Sequence, residues 1–216
     1  MRITVTMIAP RLLSTLAFAL ILGGCASSKS STPSTVFDFG PALPAAQGAA
    51  AAPASMPAIV VMDATGAAIL DNERMYYRLN YADALQARTY ANSRWSGNPL
   101  ALVTQRVKTR LAQSGMKVLS ATDASTGVPI LRIEVDELMH SFSGAAQSEG
   151  QLALRASVFN EHRLVDQRSF SRTTPAASAD AAGGARALAQ SLDATSADIL
   201  AWLATLPVTS PPTVSK

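Results

Sequence analysis

Apolar and polar side chains alternate with a period of two over residues 75–81, where Met75, Tyr77, Leu79 and Tyr81 interleave with Tyr76, Arg78 and Asn80. That is the pattern of a half-buried strand. Leu131, Ile133 and Val135 alternate in the same way with Arg132, Glu134 and Asp136. Past Asp136 the apolar positions turn even, at Leu138, His140 and Phe142, and a change of parity within one strand predicts a β-bulge at Asp136-Glu137. Leu152, Leu154, Ala156 and Val158 predict a further strand, and a turn at Asn160-Glu161-His162 leads to a return strand with Leu164 and Phe170. Ile59-Val60-Val61-Met62 reads as a buried strand, 88–94 and 116–119 as two more, and 35–41 as a short first strand stopped by Gly40-Pro41.

Two segments carry the helical period instead. Asn98 followed by Pro99 is an N-cap with proline at the first helical position. Leu100, Val103, Val107 and Leu111 then share a face, Gln105, Arg106, Lys108 and Arg110 lie elsewhere, and Gly115 closes the helix. Leu188, Leu192, Thr195, Ile199, Trp202 and Leu206 recur at spacings of three and four before Pro207. Gly183-Gly184 weaken the start of this second helix by about 1 kcal/mol each, so its expected beginning is Ala185. The fold class expected is α+β: a single, mainly antiparallel mixed sheet packed by two amphipathic helices, over residues 36–206. The Ala/Pro-rich stretch 42–57 has no periodicity and predicts a disordered loop, and 207–216 a frayed tail.

The amino-terminal region follows neither period. Leu12–Leu22 is an apolar run too short for a bilayer, which takes about 20 residues. Arg2 and Arg11 precede it, and Gly23 and Gly24 follow, the layout of a secretory signal over residues 1–24. Next comes Cys25, the chain's only cysteine. Leu22-Gly23-Gly24-Cys25 resembles the bacterial lipobox, which implies cleavage between Gly24 and Cys25 and acylation of the cysteine. A thiolate suits that chemistry because it is a good nucleophile for making a thioether, and two or more acyl chains anchor stably where one does not. Ala26, in place of the aspartate that usually marks inner-membrane retention, implies an outer-membrane destination. Residues 25–35 then form a lipidated cysteine with a flexible Ser/Thr-rich tether, at most about 35 Å long when extended.

Composition changes this picture only slightly. The formal charge of +3 includes Arg2 and Arg11 of the discarded signal, so the remaining chain is close to neutral and carries no nucleic-acid signature. With its one cysteine acylated the mature protein has no disulfide or thiol chemistry. No GxxxxGK[ST], HExxH, CxxC or GxSxG motif is present, and no catalytic residue, metal ligand or cofactor site is expected. His140 reads as a core or half-buried strand residue, and His162 as a solvated turn residue. Asp136 and Glu137 point to opposite faces of their strand. The basic residues of the first helix read as a solvated face, with phospholipid headgroups the functional alternative. Tyr76, Tyr77, Tyr81, Tyr90 and Trp95 concentrate aromatic surface, most of it for core packing.

The order of parts resembles a known family, the auxiliary lipoproteins of ABC-type lipid transport systems, partners of the MCE and paraquat-inducible intermembrane systems. The pieces are the lipobox, "VFDFGP", "IVVMDA", "MYYRLNY", "RWSGNP", "ILRIEVDEL", "QLALRASVFNEHRLVDQRSFS" and "ADILAWLATLP". The resemblance implies a noncatalytic outer-membrane lipoprotein with its domain in the periplasm, docked on an MCE-domain protein and powered by a separate ABC transporter. Partners so implied are the membrane, through the lipid anchor, and that MCE-domain protein, with no nucleic acid. Direct phospholipid binding and a homo-oligomer stay open. Two other classes also stay open at this point: an envelope-assembly or peptidoglycan-associated lipoprotein, and a periplasmic hydrolase of unfamiliar arrangement.

Overall fold

The long strand β7 (Ile130–Gly144) is the axis of the molecule, and most other strands are arranged along its two edges. The computed structural model describes residues 33–42, 51–123 and 126–207. Along one edge of β7 lie, in turn, β2 (Ala58–Val61), β3 (Thr65–Gly66) and β4 (Arg74–Leu79), each parallel to it. Along the other edge β8 (Gln147–Asn160) and β9 (Arg163–Pro175) continue as an antiparallel meander. β6 (Lys117–Ser120) pairs parallel with β2, and β5 (Ala87–Trp95) antiparallel with β4. β1 (Thr35–Phe37) joins β5 in parallel. The sheet is therefore mixed, with its longest ladders in the meander.

The predicted bulge is present: the register of β7 against β8 shifts between Val135 and Glu137. It rotates the strand so that Leu138, His140 and Phe142 join the buried face begun by Leu131, Ile133 and Val135. The predicted turn is also present as a two-residue hairpin, with Glu161 and His162 both at positive φ, 47° and 66°. Such a turn matches the right-handed twist of its strands.

α1 (Pro99–Gln113) starts as its sequence requires, with the Asn98 side chain accepting from the Leu100 N–H at 2.8 Å. It ends before Gly115, whose φ of 90° is the left-handed conformation that glycine adopts without steric cost. α2 (Ala181–Leu203) lies across β7, β8 and β9 and touches α1. The stripe Leu188, Leu192, Thr195, Ile199, Trp202 and Leu206 is buried throughout.

Two expectations are corrected. α2 begins at Ala181 rather than Ala185, because Asp180 caps it by accepting from the Gly183 N–H at 2.7 Å, and because the glycines are required there by packing. A Cβ on Gly183 would stand 2.0 Å from the Ser178 carbonyl oxygen. Of the stretch read as a disordered loop, residues 51–57 are held: Met56 is buried in the core, and the Ala52 N–H donates to the Ser114 carbonyl at 2.8 Å. Residues 43–50 of that stretch, and the tail beyond Pro207, lie outside the described residues.

Candidate functional site

Gly24 and Cys25, the cleavage and lipidation residues, lie outside the described residues, as does the tether up to residue 32. The described segment nearest to them in sequence is β1 with the following Asp38-Phe39-Gly40. Phe39 is buried, its ring 5.2 Å from that of Trp95 at the end of β5. The Gly40 carbonyl accepts from Arg106 Nη1 at 2.8 Å. The chain that enters the domain from the tether is thus clamped between the sheet edge and the helix pair. A groove of about 260 Å³ opens on one side of it, beside Val36, Phe37, Ala182, Ala185 and Arg186. A second of about 240 Å³ opens on the other, beside Leu102, Gln105 and Thr109.

Arg106 belongs to a charge cluster at the seam of the two helices. Its Nε and Nη2 donate to Asp193 Oδ1 and Oδ2 of α2 at 2.5 and 2.7 Å. Arg110, one turn on, donates to the same carboxylate through Nε at 2.7 Å and through Nη2. Burial opposes ionisation of Asp193, but the hydrogen bonds and charges of Arg110 and Arg106 outweigh it and hold the pKa below the usual carboxylate range. Two of the basic side chains read from sequence as an outer, solvated face therefore turn inward. A charged residue on α1 has this use because α2 supplies one half-buried carboxylate opposite it.

His140 sits at the centre of a second cluster. It is fully buried, its Nδ1 lies 2.7 Å from the Tyr90 hydroxyl, and the rings of Phe142 and Tyr90 stand 4.4 and 6.2 Å away. Tyr77 packs on Tyr90 at 4.6 Å and edge-on to Phe142. Burial pushes the imidazole pKa down to about 4, against a weaker pull from the Asp180 carboxylate. Burial also raises the Tyr90 hydroxyl well above its usual value, helped by Tyr77 and Asp180. Both groups are neutral at pH 7: the imidazole can still accept a proton but is a weak base, and the Tyr90 hydroxyl is not ionised. Nε2 of His140 is buried without a hydrogen-bond partner.

The other residues singled out from sequence are dispersed. His162 is exposed in the β8–β9 turn, at the far end of β7 from His140. Glu137 pairs with Arg78 of β4 at 2.8 Å, while Asp136 is exposed. Tyr76 is half-buried on β4, within 3.5 Å of the Asn72 amide, and Trp95 is core. Tyr81 is exposed. Among the described residues no three His, Cys, Asp or Glu side chains group as a metal site, and no helix is long and apolar enough to cross a membrane. Sequence reading missed Asp193 as the partner of the α1 arginines, since 87 and 83 residues separate it from them. It also missed the exposed Leu85. The one signal for Asp193 was an acidic residue on a helix whose only other charged residues are Arg186 and Asp198.

The fold has solved counterparts. A protein of Xanthomonas campestris assigned to the family DUF330 superposes with a TM-score of 0.62 at 22% identity, over 71% of this chain and 86% of its own. An uncharacterized protein superposes equally well, with a TM-score of 0.62 at 12% identity, over 80% and 99% of the two chains. At such identities the likeness is one of fold. No curated protein matches the sequence significantly. The profile of one protein family, described as ABC-type transport auxiliary lipoprotein component, matches residues 41–200, from the end of the clamped segment to the middle of the last helical turns. The chain belongs to that family of ABC-type transport auxiliary lipoproteins.

Proposed function

We propose that this protein is an outer-membrane lipoprotein, acylated at Cys25, that serves as the noncatalytic auxiliary component of an MCE-type intermembrane phospholipid transport system. The observation that carries the reading is the family match over residues 41–200. The lipobox ending in Cys25 and the Ala26 that follows it support the anchor and its destination. A noncatalytic role is supported by the full burial and weakened basicity of His140 and by the use of Asp193, Arg106 and Arg110 in holding the fold. The ABC transporter hydrolyses nucleotide elsewhere, and this domain's part is to dock.

The test is crosslinking of the full-length protein in intact cells, followed by its isolation from membranes and identification of what it carries. Recovery of an MCE-domain protein is the expected result. Crosslinks to peptidoglycan or to an envelope-assembly complex, with no MCE-domain protein, overturn it.

A further inference from the structure

The turn between β4 and β5 is ordered and carries an apolar tip. Asn80 N–H donates to the Phe142 carbonyl at 2.9 Å, and the Ala82 and Asp83 N–H groups both donate to the Leu79 carbonyl. The Leu85 N–H donates to Asp83 Oδ1 at 2.9 Å, which occupies the tip's one carboxylate. Between the exposed Asn80 and Gln86, whose Oε1 accepts from Arg88, the turn presents apolar side chains to solvent: Leu85 is 95% exposed, Tyr81 52%, and Ala82 and Ala84 are exposed between them, with Asp83 partly buried. Single exposed apolar residues are ordinary on protein surfaces. A leucine and a tyrosine held outward together on a hydrogen-bonded turn, with the exposed Arg88 just behind them, are not a scatter.

The topology puts this tip on the side of the sheet that the amino-terminal end of β1 faces. β1 runs parallel to β5 with Thr35 opposite Ser93, so the amino-terminal end of β1 is its end nearer to Ala87 and the tip. Ala87 lies about 20 Å along the strand from Ser93, and the residues from Cys25 to Thr35 reach at most about 35 Å. A bilayer holding Cys25 is therefore within reach of Leu85. Leu164, also exposed, is not so placed: it pairs opposite Phe159 and Ile130, about 40 Å along β7 from the Phe142 level where the tip sits.

We propose that the β4–β5 tip is a second membrane contact, in which Tyr81 and Leu85 enter the interface of the bilayer that holds Cys25 and Arg88 meets lipid phosphate. This rests on the reading of Cys25 as the acylated anchor. Leucine and tyrosine side chains suit the boundary between headgroups and acyl chains, with a guanidinium at phosphate depth. Two such residues bind a bilayer weakly by themselves. A short tether makes their insertion an intramolecular event at high effective concentration, so weak insertion suffices. A single lipid attachment at Cys25 does not by itself set the orientation of the domain; the second contact fixes which face it turns to the periplasm.

The experiment uses the full lipoprotein, purified from membranes and reconstituted into phosphatidylethanolamine–phosphatidylglycerol vesicles without other proteins. Cys25 is the only native cysteine and its sulfur is consumed in the thioether, so Leu85→Cys and, separately, Leu164→Cys each provide one site for an environment-sensitive fluorophore. Both positions are exposed, and neither change disturbs the core. The expected result is blue-shifted emission at 85, quenching there by doxyl-labelled lipids, and loss of quenching by aqueous iodide. The label at 164 stays quenched by iodide. Equal iodide quenching at 85 and 164 overturns the proposal while leaving the anchor standing. Protection at 85 without doxyl quenching also overturns it, since a second copy then covers the tip. A mature protein whose mass shows no acyl chains, and whose Cys25 itself takes up label, overturns the anchor and this contact together.

Discussion

Gly184 of α2 lies directly against the imidazole of His140 on β7: a Cβ built on that glycine would stand 2.4 Å from Nδ1 and 2.5 Å from Cγ. The glycine that weakens the helix locally is what lets the helix settle on a buried histidine. Local propensity alone favours alanine there by about 1 kcal/mol, but overpacking a filled core costs about 1–3 kcal/mol. Gly184→Ala is therefore expected to lower the melting temperature. In a His140→Ala background the same change should become neutral or stabilising, because the clash is gone. Thermal melts of the four proteins of this cycle measure the coupling.

The same histidine is expected to make stability fall with acid in a defined window. Its folded pKa, about 4, lies below the ordinary 6.5. Between those values the unfolded chain binds the extra proton and the folded one does not, so stability is complete above about pH 6.5 and falls as pH drops toward 4. The full window corresponds to roughly 3 kcal/mol. His140→Asn retains a partner for the Tyr90 hydroxyl and removes the titration. Its denaturant midpoint should vary less between pH 6.5 and 4 than that of the wild type, and an identical slope would refute the assignment.

Asp193 joins the two helices through both Arg106 and Arg110, and Arg106 also holds the Gly40 carbonyl. Removing the carboxylate leaves two guanidinium groups in a half-buried seam. Breaking a buried pair costs about 3–5 kcal/mol, and partial exposure of Asp193 puts Asp193→Ala near the lower end, about 3 kcal/mol. Because the folded pKa of Asp193 is depressed, its contribution is present above the ordinary carboxylate pKa and is lost as pH falls through the folded value. Arg106→Lys, which cannot grip both carboxylate oxygens and Gly40 at once, should also loosen β1. Amide exchange across residues 35–40 would report it.

Trp202 is buried to 1% exposure, stacks edge-on with Phe170 at 5.9 Å and donates from Nε1 to Asp166 at 2.8 Å. Truncating a core tryptophan costs about 3–5 kcal/mol, a large part of the roughly 5–15 kcal/mol available to a domain. Trp202→Ala should sharply lower the melting temperature of the unlipidated domain. An unchanged melt would mean that this stripe serves a partner rather than the core.

Cys25→Ala should abolish signal processing and acylation. Cells fed a clickable fatty acid give the readout: a variant that still takes up label contradicts the anchor. The wild type, with Ala26 after the cysteine, should sediment with outer membrane on a sucrose gradient. Recovery with inner membrane would move its workplace to the transporter end.

Much of this fold is written in short-range pattern. The alternation at 131–135 and its change of parity located β7 and its bulge; Asn98-Pro99 and Gly115 bracketed α1; the spacing of Leu188 through Leu206 marked the face of α2. Each is a local relation, within one turn of helix or a few rungs of strand, so neighbouring residues carry it. The extent of β9 to Pro175 escaped that reading, because Ser169, Ser171, Thr173 and Thr174 show no apolar alternation and are strand only through their pairing with β8. Which strands lie side by side was likewise open. Thr35 against Ser93 and Tyr77 against His140 are pairings between distant segments, closed by tertiary contacts. Only the assembled structure turned Arg106 and Arg110 from a solvated face into a clamp, and set Gly184 against His140. Side-chain period tells a residue which way to face; what it then meets depends on where the rest of the chain has gone.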